Sequence, residues 1–117
     1  MAYVDGFVVA VPKAKLDAYR EMAEHAGAIW MEHGALSFVE CVADDVPYGT
    51  LTSFPRAVQA SEEETVVFSW ITYASRESRD AVNAAVMADP RLKETTEQAI
   101  FDGKRMIYGG FRRIVDL

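Results

Sequence analysis

Two carboxylates and one guanidinium stand inside segments that are otherwise apolar. Glu40 lies in the run Leu36–Ala43, where it alternates with Phe38 and Val42. Alternating residues of a strand share one face of a sheet, so Glu40 is expected on the same face as these two side chains. If that face lines a cavity, burial raises the pKa of the carboxyl group and suits it to general-base catalysis.

The same reasoning applies to Asp5 in the first apolar segment and, with the opposite charge, to Arg112 in the last. Buried carboxylates concentrate at functional sites. The competing interpretation is structural, namely a buried ion pair or a charge on a sheet edge that discourages aggregation. Strand register stays open at this point, so Glu40 faces either a cavity or the helices.

His33 is the third candidate for a catalytic role, after Glu40 and Asp5. It ends a helical segment, where a histidine either acts as a base or ligand at a cavity mouth or caps the last carbonyl groups. Six further side chains are candidates for ligand contacts, with turn formation, core packing and surface charge as the competing explanations. They are Asp45, Tyr48, Trp70, Arg105, Tyr108 and Arg112.

No motif in the chain favours a metal or a cofactor. The two histidines, His25 and His33, are eight positions apart, which matches neither HxxxH nor HExxH spacing. Cys41 lies inside a strand-like segment, where a cysteine is more often a small buried apolar residue than a nucleophile. We therefore expect neither a metal site nor a bound cofactor.

Composition narrows the class of protein. A length of 117 residues suits a single domain, expected to span residues 1–117. With 12 basic against 18 acidic side chains, the net charge of −6 argues against a nucleic-acid partner. No apolar stretch is long enough to span a membrane, and no signal peptide is visible. The single cysteine fits a reducing compartment, so the expected location is the cytoplasm.

Periodicity predicts the elements that position these side chains. The predicted strands are residues 3–11, 36–43, 65–73 and 105–115, and the predicted helices are residues 13–33, 75–89 and 90–99. Residues 44–61 form a connection that is too long and too apolar for a simple linker, which suggests a lid or an arm. The order β-α-β-β-α-β is that of a ferredoxin-like fold, a four-stranded antiparallel sheet with both helices on one face.

Both faces of the central strands are apolar. In the third strand, Val66, Phe68 and Trp70 lie on one face, and Val67 and Ile71 lie on the other. Helices on one side leave the second face bare, and a large bare apolar face is rare in a monomer. We expect a homodimer in which two sheets meet as an eight-stranded barrel with room for one unidentified small molecule.

Four separated strings are distinctive: YVDGFVVAVP, HGALSFVECVADD, ETVVFSWITYASRESRD and FDGKRMIYGGF. Over nearly its whole length the chain resembles the uncharacterised family typified by the enterobacterial protein YbaA. The resemblance implies a dimeric α+β barrel and leaves the activity open. That wider group includes cofactor-free quinone-forming monooxygenases, haem-degrading monooxygenases, lactone isomerases and stress-response proteins. The haem-degrading enzymes carry a histidine on the second helix, and this chain has none between residues 74 and 102.

Three interpretations of function follow, and the sequence does not decide whether the protein is an enzyme. The first is a small-molecule enzyme, of the cofactor-free oxygenase or isomerase type, that uses carboxylates in the barrel cavity. The second is a non-catalytic ligand-binding or stress-associated dimeric module. In the third, Phe38, Phe68, Trp70 and Tyr108 fill the cavity and the protein is an interaction unit.

Overall fold

The computed structural model describes residues 2–97 and 99–117, which form four strands and four α-helices. The strands are β1 (Tyr3–Pro12), β2 (Ser37–Val42), β3 (Glu64–Tyr73) and β4 (Ile107–Arg112). The helices are α1 (Leu16–Glu32), α2 (Phe54–Ala57), α3 (Arg76–Ala88) and α4 (Pro90–Thr95). Short 3-10 turns occupy Lys13–Lys15 and Gly103–Arg105.

The strands form one antiparallel sheet in the order β2-β3-β1-β4. The register aligns Glu40 with Ser69, Ser69 with Phe7, and Phe7 with Tyr108. Buried side chains of α1 and α3 pack against Val9, Val67 and Ile71, which share one face. Both long helices therefore cover the same side of the sheet, and the predicted ferredoxin-like fold is confirmed.

Local chemistry explains where the helices begin and end. The Ser75 hydroxyl accepts a hydrogen bond from the Ser78 backbone N–H, and the Asp89 carboxylate accepts one from the Arg91 N–H, so each caps a helix. Gly34 follows α1 with φ of +114°, a conformation that favours glycine. The Ser75 and Asp89 caps confirm the expected starts of α3 and α4.

Several predicted boundaries are too wide. Helix α1 begins at Leu16 rather than residue 13, because a 3-10 turn follows Pro12. Strand β4 begins at Ile107 rather than residue 105, because Asp102 caps a second 3-10 turn. Helix α4 ends at Thr95; the predicted extension to residue 99 includes Gln98, which lies outside the described residues.

The second face of the sheet is apolar and largely uncovered by its own chain. We call it the open face; apart from Ser37 and Thr72, which lie opposite each other at one end, it carries Val4, Gly6, Val8, Ala10, Val39, Cys41, Val66, Phe68, Trp70, Ile107, Gly109 and Phe111. Phe68 is 42% exposed and Phe111 is 63% exposed, which is unusual for phenylalanines on a sheet. The apolarity of both faces, predicted from sequence, is confirmed.

The long connection between β2 and β3 folds back onto one end of the open face. Val58 is fully buried there against Ala10 and Val66. Phe54 in α2 packs on Phe68 with ring centroids 5.7 Å apart. The connection is therefore an arm that covers part of its own sheet. None of the described helices is both long enough and apolar enough to cross a membrane.

Candidate functional site

Glu40 lies on the helix-facing side of the sheet, away from the open face. The pairing of Glu40 with Ser69 puts it on the side of Val67 and Ile71, which pack against the helices. Its nearest recorded partner is Tyr19 of α1, whose hydroxyl donates a hydrogen bond of 2.8 Å to Glu40 Oε1. The question of register is thus resolved, and the cavity that Glu40 can serve lies between α1 and β2.

Tyr19 is held in place by the core. Its ring packs edge-on against Phe101, with centroids 5.6 Å apart and planes at 70°. It is 7% exposed and belongs to the buried cluster that contains Val9 and Val67. Because its ring is fixed on both sides, its hydroxyl has a fixed direction and points at Glu40.

The electrostatics of the pair are those of an acid–base site. Burial raises the pKa of the Glu40 carboxyl group above its ordinary 4.5, and hydrogen bonds from the Tyr19 and Ser69 hydroxyls draw that pKa part of the way back. Burial and the neighbouring Glu40 charge also raise the pKa of Tyr19. At neutral pH Tyr19 therefore stays protonated and donates a hydrogen bond to Glu40.

A groove of about 680 Å³ opens beside this pair, between α1 and the edge strand β2. Its size is in the range of small-molecule pockets. The lining is mainly apolar, with charged side chains along the helix: Leu16, Asp17, Tyr19, Arg20, Ala23, Glu24, Gly27, Ala28, Met31, Phe38, Glu40, Cys41, Val42 and Val67. Glu40 is the carboxylate that the sheet contributes to this groove.

A glycine in the middle of α1 sets the width of the groove. A Cβ on Gly27 would lie 2.6 Å from Cδ1 of Phe38, closer than real Cβ atoms approach other atoms. Glycine in a helix interior costs roughly 1 kcal/mol relative to alanine. Close packing of α1 on the Phe38 ring explains why a glycine stands here.

Asp5 and His33, the other two candidates for catalysis, each contact a different side chain outside the groove. Asp5 is 6% exposed and accepts a hydrogen bond of 3.0 Å from Nε of Arg79. His33 follows the end of α1, where Nε2 lies 2.9 Å from Oδ2 of Asp89. The structural interpretation of Asp5 as half of a buried ion pair matches this geometry.

Three of the candidate ligand contacts lie in the arm or in the turn before β4. Tyr48 is exposed, and the Arg56 guanidinium lies 4.0 Å from its ring centroid. Arg105 makes a two-point contact with the Glu64 carboxylate at 2.8 and 2.7 Å. Asp45 is exposed in the arm. The contacts of Tyr48 and Arg105 order the arm and the turn before β4.

The remaining three candidates lie on the sheet. Trp70 is on the open face, edge-on to Phe68 at 5.7 Å. Tyr108 is 73% exposed on the opposite face and stacks on Phe7. Arg112 is exposed at the end of β4. The four aromatic residues expected to fill one cavity are thus divided, since Phe38 lies with Tyr108 on the helix-facing side.

Within the described part of the chain, no recorded hydrogen bond joins two of the nine candidates. Glu40 alone among them lines the groove. Sequence reasoning missed Tyr19 and Ser69 as its partners. Tyr19 lies on the apolar face of the first helix, and a tyrosine hydroxyl on that face was the sequence signal that could have identified a polar partner for Glu40.

Within residues 2–97 and 99–117, no three His, Cys, Asp or Glu side chains cluster closely enough to hold a metal ion. The expectation that the protein uses neither metal nor cofactor stays a prediction. What the groove does offer is one proton-accepting carboxylate, one hydroxyl hydrogen-bonded to it, and an apolar surface large enough for a small organic molecule.

Comparison with known sequences assigns the chain to a family. The sequence profile described as "Protein of unknown function (DUF1428)" matches residues 2–103. The chain belongs to the DUF1428 family. Within that family it is 62% identical to the uncharacterised protein YbaA of Escherichia coli over 116 residues, which cover 99% of both proteins. The YbaA protein of Shigella flexneri is equally similar.

Solved structures similar to this DUF1428 protein share its fold at low sequence identity. SnoaB, a cofactor-independent oxygenase from Streptomyces nogalater, has a TM-score of 0.64 at 13% identity, covering 99% of this chain and 96% of that one. A NIPSNAP family protein from Agrobacterium tumefaciens has a TM-score of 0.62 at 14% identity, covering 96% and 92%. A dimeric ferredoxin-like protein from an uncultured marine organism has a TM-score of 0.58 at 11% identity, covering 99% and 98%. The likeness extends to the fold alone.

Proposed function

We propose that this protein is a small-molecule enzyme that removes a proton from an apolar, enolisable or phenolic compound bound in the groove between α1 and β2. Proton removal is the first step shared by cofactor-free oxygenases and by isomerases that act next to a carbonyl group. The observation that carries the proposal is Glu40, a partly buried carboxylate held by the Tyr19 hydroxyl at 2.8 Å in an apolar groove.

The assigned roles follow from the chemistry of the pair. The Glu40 carboxylate is the general base, because burial raises its pKa and makes it a stronger proton acceptor than a surface glutamate. Tyr19 orients that carboxylate while it is charged. Once Glu40 has taken the proton, the Tyr19 hydroxyl is free to donate a hydrogen bond to the oxyanion of the substrate.

Anthrone illustrates the reaction with every atom assigned. A C–H bond of its methylene carbon breaks, the proton passes to Glu40, and the electron pair spreads onto the carbonyl oxygen as an enolate. Molecular oxygen then oxidises the enolate and adds to the same carbon. Loss of water gives anthraquinone, so one anthrone and one oxygen molecule become one anthraquinone and one water. An isomerase would instead return the proton to another carbon.

SnoaB supports this choice of chemistry, since a protein of the same fold is named as a cofactor-independent oxygenase. At 13% identity the likeness concerns the fold, so the argument for the reaction rests on the Glu40 groove.

Oxygen uptake with anthrone tests the proposal. We expect the protein to accelerate oxygen consumption and the formation of anthraquinone, followed by an oxygen electrode and by absorbance. General-base catalysis is typically worth about 10²–10⁴-fold, so Glu40→Gln should lose acceleration of that order. Glu24→Gln is the matched control, because Glu24 lines the same groove from an exposed position on α1.

The outcomes separate catalysis from binding. Equal turnover in Glu40→Gln and in the unmodified protein would remove Glu40 from the mechanism. Binding of anthrone without any product would favour the non-catalytic ligand-binding module expected as the alternative.

We also propose that the protein is a homodimer in which two open faces meet as a barrel. Four strands about 4.8 Å apart and up to ten residues long make a face of roughly 19 by 30 Å. Its planar area of roughly 570 Å² is of the same order as the accessible surface of about 800 Å² that each partner buries in a standard interface. This assembly is supported by three apolar side chains that the chain itself leaves exposed on the open face: Phe68, Ile107 and Phe111.

Sedimentation equilibrium tests the dimer. We expect a mass of twice 13.0 kDa for the unmodified chain and dissociation for Phe68→Glu, which adds a charge to the centre of the open face. Met87→Glu on the exposed side of α3 is the matched control and should remain dimeric. A monomeric unmodified chain would contradict the proposal.

A location in the cytoplasm stays a prediction.

A further inference from the structure

Arg20 is the single cation among the residues that line the Glu40 groove. It lies on the exposed side of α1 and follows Tyr19 in sequence. Asp17 and Glu24 line the same groove about one helical turn before and after it, at spacings where opposite charges usually pair. Among the described residues, none forms a recorded ion pair with Arg20. Its guanidinium donors are therefore available to a ligand in the groove.

Most other arginines are already engaged with the protein itself. Five contact a carboxylate or a backbone carbonyl oxygen: Arg56, Arg79, Arg91, Arg105 and Arg113. Arg76 and Arg112 have no recorded ion pair in the described part of the chain, but neither lines the groove. Arg20 is thus the arginine that combines an unengaged guanidinium with a place at the candidate site.

The end of the groove beyond Arg20 is apolar. Gly27, Ala28 and Met31 line it from α1, and Phe38 lines it from β2. At a rise of 1.5 Å per residue, Gly27 lies about 10 Å along the helix from Arg20. A planar compound of two or three fused rings spans this distance. A ligand that reaches both ends therefore has an apolar body and an anionic group at one end.

The charges around Arg20 limit which anion fits. A guanidinium binds a carboxylate through two parallel hydrogen bonds. Asp17 and Glu24 repel a doubly charged group, such as a phosphate monoester, more strongly than a singly charged carboxylate. A cationic ligand is disfavoured for another reason, because it would face Arg20 and pair with the Glu40 carboxylate that the proposed reaction uses as its base.

We propose that the groove selects apolar ring compounds that carry a carboxylate, and that Arg20 binds this carboxylate while the rings lie along Ala28 and Phe38. The inference rests on the proposed function, because it takes the Glu40 groove as the ligand site. It narrows the substrate class from apolar enolisable or phenolic compounds to the acids among them. Arg20 then determines specificity and takes no part in proton transfer.

Three anthraquinones that differ in one substituent test this selectivity. Anthraquinone-2-carboxylate is an anion at neutral pH, the 2-carboxamide is neutral and nearly the same shape, and the 2-aminomethyl compound is a cation. None of them can undergo the proposed reaction of anthrone, so binding is measured without turnover. Isothermal titration calorimetry gives the Kd of each compound.

We expect the carboxylate to bind about tenfold more tightly than the carboxamide, and the aminomethyl compound to bind most weakly. Tenfold is close to the lower end of what a hydrogen bond to a charged group contributes, because Arg20 is exposed. Arg20→Gln should remove the preference for the carboxylate. Arg20→Lys keeps the charge without the planar fork and should retain part of it. Arg76→Gln is the matched control, since Arg76 is exposed on α3 outside the groove.

A second variant tests where the probes bind. Ala28→Trp fills the apolar end of the groove from an exposed helix position, so it should abolish binding of the carboxylate while circular dichroism shows a folded chain. Unchanged binding in Ala28→Trp would overturn the proposal. So would equal affinity for the carboxylate and the carboxamide, tighter binding of the aminomethyl compound, a full preference in Arg20→Gln, or no binding of any probe.

Failure of this inference is distinguishable from failure of the proposed reaction. A carboxylate preference that depends on Arg20, together with full anthrone turnover in Glu40→Gln, would keep the ligand class and reject Glu40 as the base. Loss of anthrone turnover in Glu40→Gln without a carboxylate preference would keep the reaction and reject the role of Arg20.

Discussion

The hydrogen bond from Tyr19 to Glu40 gives the sharpest prediction for the site. Tyr19→Phe removes one hydroxyl and keeps the ring that packs against Phe101. The bond stabilises the charged form of Glu40, so its loss should raise the pKa of the carboxyl group above its already elevated value.

The size of the effect of Tyr19→Phe follows from the strength of the hydrogen bond between Tyr19 and Glu40. A hydrogen bond to a charged group contributes about 1.5–3 kcal/mol. Glu40 is only partly buried, which puts the effect near the lower end of that range. The same loss should raise the pKa of Glu40 further, because it removes a hydrogen bond that favours the charged carboxylate. The free energy of unfolding at neutral pH should fall by about 1.5 kcal/mol.

The assay is a carbon-13 NMR titration of the glutamate side-chain carboxyl groups, with Glu40→Gln identifying the signal. Tyr48→Phe is the matched control, because Tyr48 is an exposed tyrosine in the arm that contacts Arg56. An unchanged or lowered Glu40 pKa in Tyr19→Phe would refute the argument that this hydroxyl holds the charged carboxylate.

Three further predictions concern stability. Because the folded state raises the pKa of Glu40, folding is less favourable above that pKa than below pH 4.5. Glu40→Gln should remove this pH dependence from the free energy of unfolding, measured with urea across pH. At pH 7 the variant should be at least as stable as the unmodified protein. Contact with Arg105 lowers the pKa of Glu64 to about 2, so the ion pair stabilises the fold above pH 4.5 and this stabilisation is lost as the pH falls towards 2. Arg105→Ala should lower the free energy of unfolding by about 1–3 kcal/mol at pH 7 and weaken its fall between pH 4.5 and 2. An unchanged fall over that pH range would contradict this prediction. Gly27→Ala gains roughly 1 kcal/mol of helix propensity but places a Cβ against Phe38, where overpacking costs about 1–3 kcal/mol. Thermal unfolding should therefore show a lower melting temperature for the variant. A higher melting temperature would refute the close contact between Gly27 and Phe38.

The fold follows from sequence because its signals are local. Alternation in residues 65–73, the Ser75 cap and the Asp89-Pro90 start each depend on neighbours within a few positions. Errors occur at the ends, as at β4, where Asp102 caps a 3-10 turn that includes Arg105, the first residue of the expected strand.

The site follows only in part, because its contacts are distant in sequence. Glu40 stands out as a charge in an apolar strand, yet its partner Tyr19 lies 21 positions earlier on a helix. The side that Glu40 faces depends on the register of β2 on β3, which alternation alone leaves open. The ion pair of Asp5 with Arg79 spans 74 positions and gives no local signal.

Proton removal by Glu40 is tested most directly by hydrogen–deuterium exchange at the methylene carbon of anthrone, without oxygen and in deuterium oxide. Proton NMR of the methylene signal reports the rate and isolates the first step from any later oxidation. We expect faster exchange with the unmodified protein and with Glu24→Gln, and the buffer rate with Glu40→Gln. Exchange at the buffer rate with the unmodified protein, or at an undiminished rate with Glu40→Gln, would contradict the assignment of Glu40 as the base.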